Sequence, residues 1–503
     1  MGVVFRFFYE DKDYSSSHVF KKEDDYQMKV LLFFPQAEFS YRPMYAPLGL
    51  MSIASYLNAN GHKAIIDTNT ASSAEIRKTI RRVSPDMIGV SVISFAYIKN
   101  AIRISTVAKK MGLTVVWGGT MASEIPQQIL GSNLVDYVSF REGEQTWLEL
   151  ADAFDQKIPL DSVKGIAYIK NGVFCKTEQR ELMDLSMLPV LDWSLIDPLN
   201  VLTPTYGCKR SLVIYWSKGC IGNCTFCYNG DFHCSRRRQR KLDYVMQEMR
   251  YLVDNFGVDG FEFSDDLIFE NKEQMREFCS AIHQYDLHIS WTAYERIGIL
   301  NEQEDYDLLY QSGCRCLMFG IETGSKRMQK LLHKSVSEER ILSNIEMCHR
   351  AGIIPLPTFM LGLPGETPED LLATVNLLRK FGKFSVGINL YTPQPGTALY
   401  DQLVLEGKIK PLENLKQCAK VRWGDKQFVN ISVVPEKELH AVEYYYRLKG
   451  LFFGNDLSPE KHFFDTAKNI LRAMKISNPL GFIVVGYRAA YNFIRFLGYF
   501  FIR

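Results

Sequence analysis

The sequence predicts an α/β protein of two bodies in series. A doubly wound parallel sheet comes first, then a partial (β/α)6 barrel, then a helical C-terminal region. Two observations predict this order. Residues 28–154 alternate short apolar, β-branched runs with stretches of helical spacing, the pattern of a parallel sheet covered on both faces. Residues 211–400 repeat the alternation six times, starting from a loop that gathers three cysteines.

Size and composition bound the reading. A chain of 503 residues holds two to four domains, each able to bury a full core. The formal charge of +2 implies no bulk polyelectrolyte partner, so nucleic acid is not expected. Eleven cysteines are too sparse for a disulfide scaffold, and three of them share one loop. That favours a reducing cytoplasm and a metal site. Residues 1–28 read as an extension, lacking the apolar stretch and cleavage site of a signal peptide.

The first body runs over residues 29–155. Strands are expected at 28–35, 63–69, 86–94, 113–120 and 135–140, and helices between them. In the first helix Leu50, Ile53, Ala54 and Leu57 share a face, and Gly61 ends it. Ligands of such sheets sit at the carboxyl ends of the strands. Ser91 and Ser94, Gly118 and Gly119, and the run Arg141-Glu142-Gly143-Glu144 lie there. Taken singly, each is ordinary turn chemistry. A connector at 156–203 holds a hairpin turning at Asn171-Gly172 and the segment "DLSMLPVLDWSLID", which is expected to pack rather than float.

The second body spans residues 204–415. Its first strand, 211–220, runs into "SKGCIGNCTFCYNG". A helix follows with Leu242, Val245, Met249 and Leu252 as its stripe. Later strands end at Asp265-Asp266, Arg296, Glu322, Pro364 and the "TPQPGTALY" segment. Cys220, Cys224 and Cys227 form C-x3-C-x2-C, and three thiolates that close suit an iron–sulfur cluster or zinc. A structural zinc site wants a fourth ligand, and His233 and Cys234 are near. Asp265 and Asp266 are candidates for an acid/base pair, or one is a helix cap and the other solvated. Arg296 suits a carboxylate or a structural salt bridge. The basic run 236–241 reads as a solvated helix start, without the aromatic interleaving of a nucleic-acid site. Cys314 and Cys316 read as buried thiols, and Cys208 as a thiol whose minority alternative is an axial or proton-donating role.

The cysteine loop resembles the radical S-adenosylmethionine (radical SAM) family, whose pattern is C-x3-C-x-aromatic-C, with Phe226 as the aromatic. The resemblance implies a 4Fe–4S cluster on the three cysteines, one iron left open for SAM, and cleavage of SAM to a 5′-deoxyadenosyl radical. "FSDDLIF", "FGIETGS", "LGLPGET" and "TPQPGTALY" are similar to the strand ends of a large subclass, over about residues 210–400. By that similarity Gly320, Glu322, Pro364, Gly365 and Glu366 line the SAM pocket. The order "PLGL…GVS…WGG…EGE" resembles the Rossmann-like cobalamin-binding domain of the same subclass, over about residues 29–155. It implies that Ser91, Ser94, Gly118, Gly119, Glu142 and Gly143 bind cobalamin. No D-x-H-x-x-G motif supplies a histidine below the cobalt, which is usual in that subclass.

From residue 416 the pattern turns helical. In residues 478–503, Arg488, Asn492, Arg495, Tyr499 and Arg503 trace one polar stripe on an otherwise apolar helix. It docks on the protein or lies on a membrane surface, and two internal arginines argue against spanning. The resemblance thus implies an enzyme using 4Fe–4S, SAM and cobalamin, most simply to methylate an unactivated carbon, while the cysteine usage points to the cytoplasm and the tail leaves membrane association open. Cyclisation, rearrangement or oxidation with the same cofactors is the alternative, and a zinc-bound scaffold is the non-enzyme one. Methylthiolation would want three cysteines in the first domain, and residues 1–150 contain none. Expected partners are a small-molecule or lipophilic substrate and a flavodoxin- or ferredoxin-type electron donor.

Overall fold

A computed structural model describes residues 26–37, 45–382, 384–421 and 430–453. The first sheet contains β1 (Lys29–Phe33), β2 (Lys63–Asp67), β3 (Met87–Ser91), β4 (Thr114–Gly118), β5 (Tyr137–Ser139), β6 (Ile166–Lys170) and β7 (Val173–Lys176). Their order is β2-β1-β3-β4-β5-β6-β7, and β1 to β5 run parallel. The central strands β1 and β3 are buried on both faces, which is why their sequences are apolar without alternation, whereas the edge strands β2 and β7 are only partly covered. In β1, Leu31 and Phe33 join one core with Ile98 and Trp117. Val30 and Leu32 join the other with Leu57 and Trp147. The order reverses between β1 and β3, so a crevice opens at the carboxyl ends there.

The expected hairpin is the edge of this same sheet. β6 pairs antiparallel with β5, and β7 with β6. Asn171 and Gly172 at its turn have φ of 53° and 79°, as a two-residue turn with the right twist requires.

The second sheet contains β8 (Thr203–Thr205), β9 (Cys208–Ile214), β12 (Gly260–Phe263), β13 (Ser290–Glu295), β14 (Cys314–Glu322), β15 (Ile354–Leu361) and β16 (Gly387–Leu390). A two-stranded ribbon, β10 (Ser217–Lys218) with β11 (Arg238–Gln239), stands outside it. The order is β16-β15-β14-β13-β12-β9-β8. Six strands are parallel, and β8 is an antiparallel edge. The core behind them centres on Trp216, Phe263, Phe269, Phe278 and Trp291, with ring centroids 5.3 to 6.3 Å apart. The same cluster takes in Ala46, Met51 and Trp193, so the two bodies and the connector share one interior. Trp193 is fixed by donating its indole N–H to Glu248 at 2.8 Å.

One sequence expectation changes here. The basic run is not a solvated helix start, because β11 lies inside it and Arg237 and Arg240 are buried. Arg237 donates to the carbonyls of Leu267 and Ile268, and Arg240 pairs with buried Glu248 at 2.6 Å. Cys208 opens β9, at the end away from the cysteine loop, and packs on Gly260, so an axial role is ruled out by position. The amphipathic tail 478–503 lies outside the described residues, within which no helix is long and apolar enough to cross a membrane.

Candidate site: a cysteine loop facing a cavity between the two sheets

The cysteine loop is an excursion between β10 and β11. Side-chain and backbone anchors hold it along its length. Cys220 N–H donates to Asn229 Oδ1 at 2.9 Å, and Asn229 Nδ2 returns a bond to the Cys220 carbonyl at 2.7 Å. Thr225 N–H donates to Leu332, and the Thr225 carbonyl accepts from Leu399. Gly222 leaves the centre of the loop open. A Cβ there would sit 2.9 Å from Arg296 Nη1, 3.4 Å from Cys220 Sγ and 3.7 Å from Cys224 Sγ. Two thiols and the guanidinium therefore surround one point. Arg296 puts a cation beside these thiols.

Asp265 and Asp266, read as an acid/base pair, both accept hydrogen bonds at the base of the cysteine loop. Asp265, 1% exposed, accepts from the N–H groups of Trp216 and Ser217 and from the Ser217 hydroxyl. Burial pushes its pKa up to about 6 against the pull of those donors and of Arg237. Asp266 accepts from Gly219 N–H at 3.1 Å and from Tyr228 O–H at 2.6 Å. The residues it ties, Gly219 and Tyr228, bracket the three cysteines.

Glu322 ends β14 with φ of 70°, a costly conformation for a non-glycine residue of the kind found at functional sites. Its carboxylate pairs with Lys334 at 2.8 Å. Gly320 makes room for that pair, since a Cβ there would overlap both partners. Glu366, expected to face SAM, is fully buried and turns back on its own loop, accepting from Gly362 N–H at 2.7 Å. Its other oxygen has no hydrogen-bond partner, and burial lifts its pKa to about 7. Pro364 and Gly365 form the turn it braces, with Gly365 N–H on the Ile431 carbonyl.

Two adjoining cavities lie between the bodies. The larger, about 660 Å³, is lined by Cys227, Phe226, Tyr228 and Glu322 from the second body and by Ser94, Thr120 and Glu124 from the first. The smaller, about 220 Å³, lies at the carboxyl ends of the first sheet. Ser91, Gly118, Gly119, Glu142 and Gly143 line it, as do Lys218 and His233 from the cysteine excursion. Ile93 and Thr120 border both. Gly119 has φ of 103°, and a Cβ on it would meet the Val92 carbonyl oxygen at 2.8 Å. Ser94, expected with the smaller group, faces the larger cavity.

Sequence reading missed several of these groups. Lys218 pairs with Glu144 at 2.6 Å, and Arg238 forks onto both oxygens of Glu142. Glu142 is thus held by an arginine as well as facing the cavity. Lys218 is two residues from Cys220, a signal that was available. Glu124 carried none: it ends the short helix Thr120–Glu124, and its carboxylate lies over Gly396. Burial raises its pKa to about 7. No Lys or Arg lines the larger cavity among the described residues.

The donor set fits an iron–sulfur cluster. Cys220 Sγ and Cys224 Sγ, with Arg296, surround the open point at Gly222, and Cys227 lines the larger cavity. A four-iron cluster takes each thiolate on a different iron and so needs them spread apart. Burial keeps all three thiols protonated, Cys227 up to about 12, so binding a metal centre would displace their protons. The paired cavities and the side-chain-free Gly119 likewise fit a bulky ring cofactor with a tail reaching the strand ends.

The family model described as "Radical SAM superfamily" matches residues 214–378, and that described as "B12 binding domain" matches residues 40–151. The chain is a B12-binding member of the radical SAM superfamily. An uncharacterised methyltransferase of Pyrococcus horikoshii is 28% identical over 389 residues, 75% of this chain and 83% of that one. The anaerobic magnesium-protoporphyrin IX monomethyl ester cyclase of Rubrivivax gelatinosus is 26% identical, over 71% of this chain and 66% of its own. Cytidylyl-2-hydroxyethylphosphonate methyltransferase of Streptomyces wedmorensis is 25% identical, over 78% and 85%. Among solved structures, the methyltransferase TsrM of Kitasatospora setae superposes with a TM-score of 0.66 at 18% identity, covering 90% of this chain and all of that one. The cobalamin-dependent radical enzyme OxsB superposes with a TM-score of 0.71 at 14% identity, covering 89% and 71%. At these identities the superpositions show the fold: a B12-type sheet before a partial radical SAM barrel.

Proposed function

We propose that this radical SAM enzyme is a cobalamin-dependent methyltransferase acting on an unactivated carbon of a small molecule. The observation that carries the reading is the larger cavity, walled by the cysteine loop on one side and by the B12-binding sheet on the other. When bound, the cluster supplies an electron to SAM and cobalamin supplies a methyl group. Cys220, Cys224 and Cys227 hold the cluster. Arg296 stands beside them for the SAM carboxylate, and Phe226, Gly320 and Glu322 shape the pocket for the rest of SAM. Pro364, Gly365 and Glu366 act one layer out, fixing the turn. Asp265 and Asp266 are positioning residues that keep the loop in shape. Ser91, Gly118, Gly119, Glu142 and Gly143 at the smaller cavity, with Ser94 at the larger, would hold cobalamin. Closing the two bodies over one cavity excludes water from a reactive radical.

The test is product analysis. The protein is reconstituted without oxygen with iron, sulfide and cobalamin, then given SAM and a chemical reductant, and nucleoside products are counted by mass spectrometry. S-adenosylhomocysteine that depends on cobalamin, together with 5′-deoxyadenosine, supports methylation. The similarity to the Rubrivivax cyclase keeps a second reading alive, oxidation or cyclisation with the same cofactors. Deoxyadenosine without S-adenosylhomocysteine would select it. The reductant in the cell is a small electron-transfer protein on this reading.

A further inference from the structure

We infer that the smaller cavity and the cysteine loop are coupled sites, joined by two ion pairs, so that filling the cavity holds the cluster loop in shape. The inference rests on the proposed function for the identity of the filling ligand, cobalamin. Lys218 and Arg238 are register partners across β10 and β11, the two ends from which the cysteine excursion hangs. Both reach across to the turn between β5 and the helix Glu144–Phe154: Lys218 to Glu144 and Arg238 to Glu142. All four side chains are no more than 20% exposed. Ser52 adds a 2.6 Å bond to the same Glu144 oxygen. Arg141, in the same turn, donates to the Asp231 carbonyl and to Cys234 Sγ, within the excursion.

Three of these four ion-pair residues line the smaller cavity. A ligand there rests on the first sheet and on Lys218 and His233 of the excursion together. It also displaces water from the pairs, and an ion pair strengthens as its surroundings lose water. The loop's other supports, Asp266 on Gly219 and Asn229 on Cys220, begin one and two residues beyond Lys218. The pairs therefore act at the base of the cysteine loop. Coupling between binding sites is reciprocal: if cobalamin steadies the cluster, the cluster must tighten cobalamin by the same factor.

The experiment titrates hydroxocobalamin into the full chain with and without a reconstituted cluster. Couplings of this kind run from about 5-fold upward, so the cluster is expected to tighten hydroxocobalamin by at least about 5-fold. Hydroxocobalamin is expected to slow chelator-driven bleaching of the cluster in the same protein. Lys218→Met should bring both effects toward unity. If that variant fails to fold, Glu144→Gln keeps the side-chain shape and removes the charge. Equal affinity with and without cluster in the wild type overturns the inference. So does full coupling surviving in the variants. Failure of hydroxocobalamin to bind either form overturns the cobalamin reading itself, and the coupling with it.

Discussion

Gly118 and Gly119 are indistinguishable in sequence, yet alanine should be tolerated at one and not at the other. At Gly119 φ is 103° and ψ 170°, a region essentially confined to glycine, which costs a substituted residue about 1–3 kcal/mol. The added Cβ would also lie 2.8 Å from the Val92 oxygen, 3.0 Å from its carbon and 3.1 Å from its nitrogen. Those atoms are backbone and cannot rotate away, and overpacking of this kind costs a further ~1–3 kcal/mol. At Gly118 the nearest atoms would be 3.7 and 3.8 Å away on Ser139, ordinary contact. Gly119→Ala should therefore lose on the order of 3 kcal/mol and Gly118→Ala about 0.5 or less, a difference large against the ~5–15 kcal/mol that holds a domain together. Urea unfolding of the cofactor-free protein measures both. Equal effects, or a larger one at Gly118, would refute the backbone assigned to this turn.

Other outcomes follow from the same geometry. Asp265→Ala strands two backbone N–H groups and removes the acidic group that acts most strongly on buried Arg237, so it should cost ~3 kcal/mol or more and lower iron and sulfide per chain. A variant with a full cluster but no deoxyadenosine would make Asp265 catalytic after all. Replacing Cys220, Cys224 or Cys227 by Ala should abolish cluster absorbance and deoxyadenosine together. Burial lifts Glu124 from 4.5 to about 7. A carboxyl raised in the fold stabilises below its unfolded pKa and loses that contribution as pH climbs to its folded one. The Glu124 contribution, on the order of 2 kcal/mol, should thus be lost between pH 4.5 and 7 alongside those of Glu366 and Asp265, and Glu124→Gln should make the slope shallower without abolishing it. Unchanged slopes in urea midpoints would count against the half-buried Glu124 as a source of that loss.

Strand-by-strand, the fold was legible because parallel strands covered on both faces must be apolar throughout, as Val30 to Phe33 are. The cysteine spacing was legible because the three ligands are local in sequence. What escaped the sequence is what only meets in space. Glu142 and Arg238 are 96 residues apart, and nothing near either marks it as half of a pair. Asp265 and Asp266 read as chemistry because a sequence shows two adjacent carboxylates, not the backbone N–H groups of Trp216, Ser217 and Gly219 that claim them. Arg237 and Arg240 read as solvated because six polar residues in a row conceal that two of them point inward.

The anchoring of Thr225 has a consequence for how the enzyme is made. Its two backbone bonds go to Leu332 and Leu399, residues that leave the ribosome long after the cysteines do. Until the last strand of the barrel is in place, Cys220, Cys224 and Cys227 hang on an unfinished loop. Iron delivered to the nascent chain would meet three thiols without their enclosure. The enclosure of the three thiols is thus completed by the far end of the barrel and not by the loop that carries them.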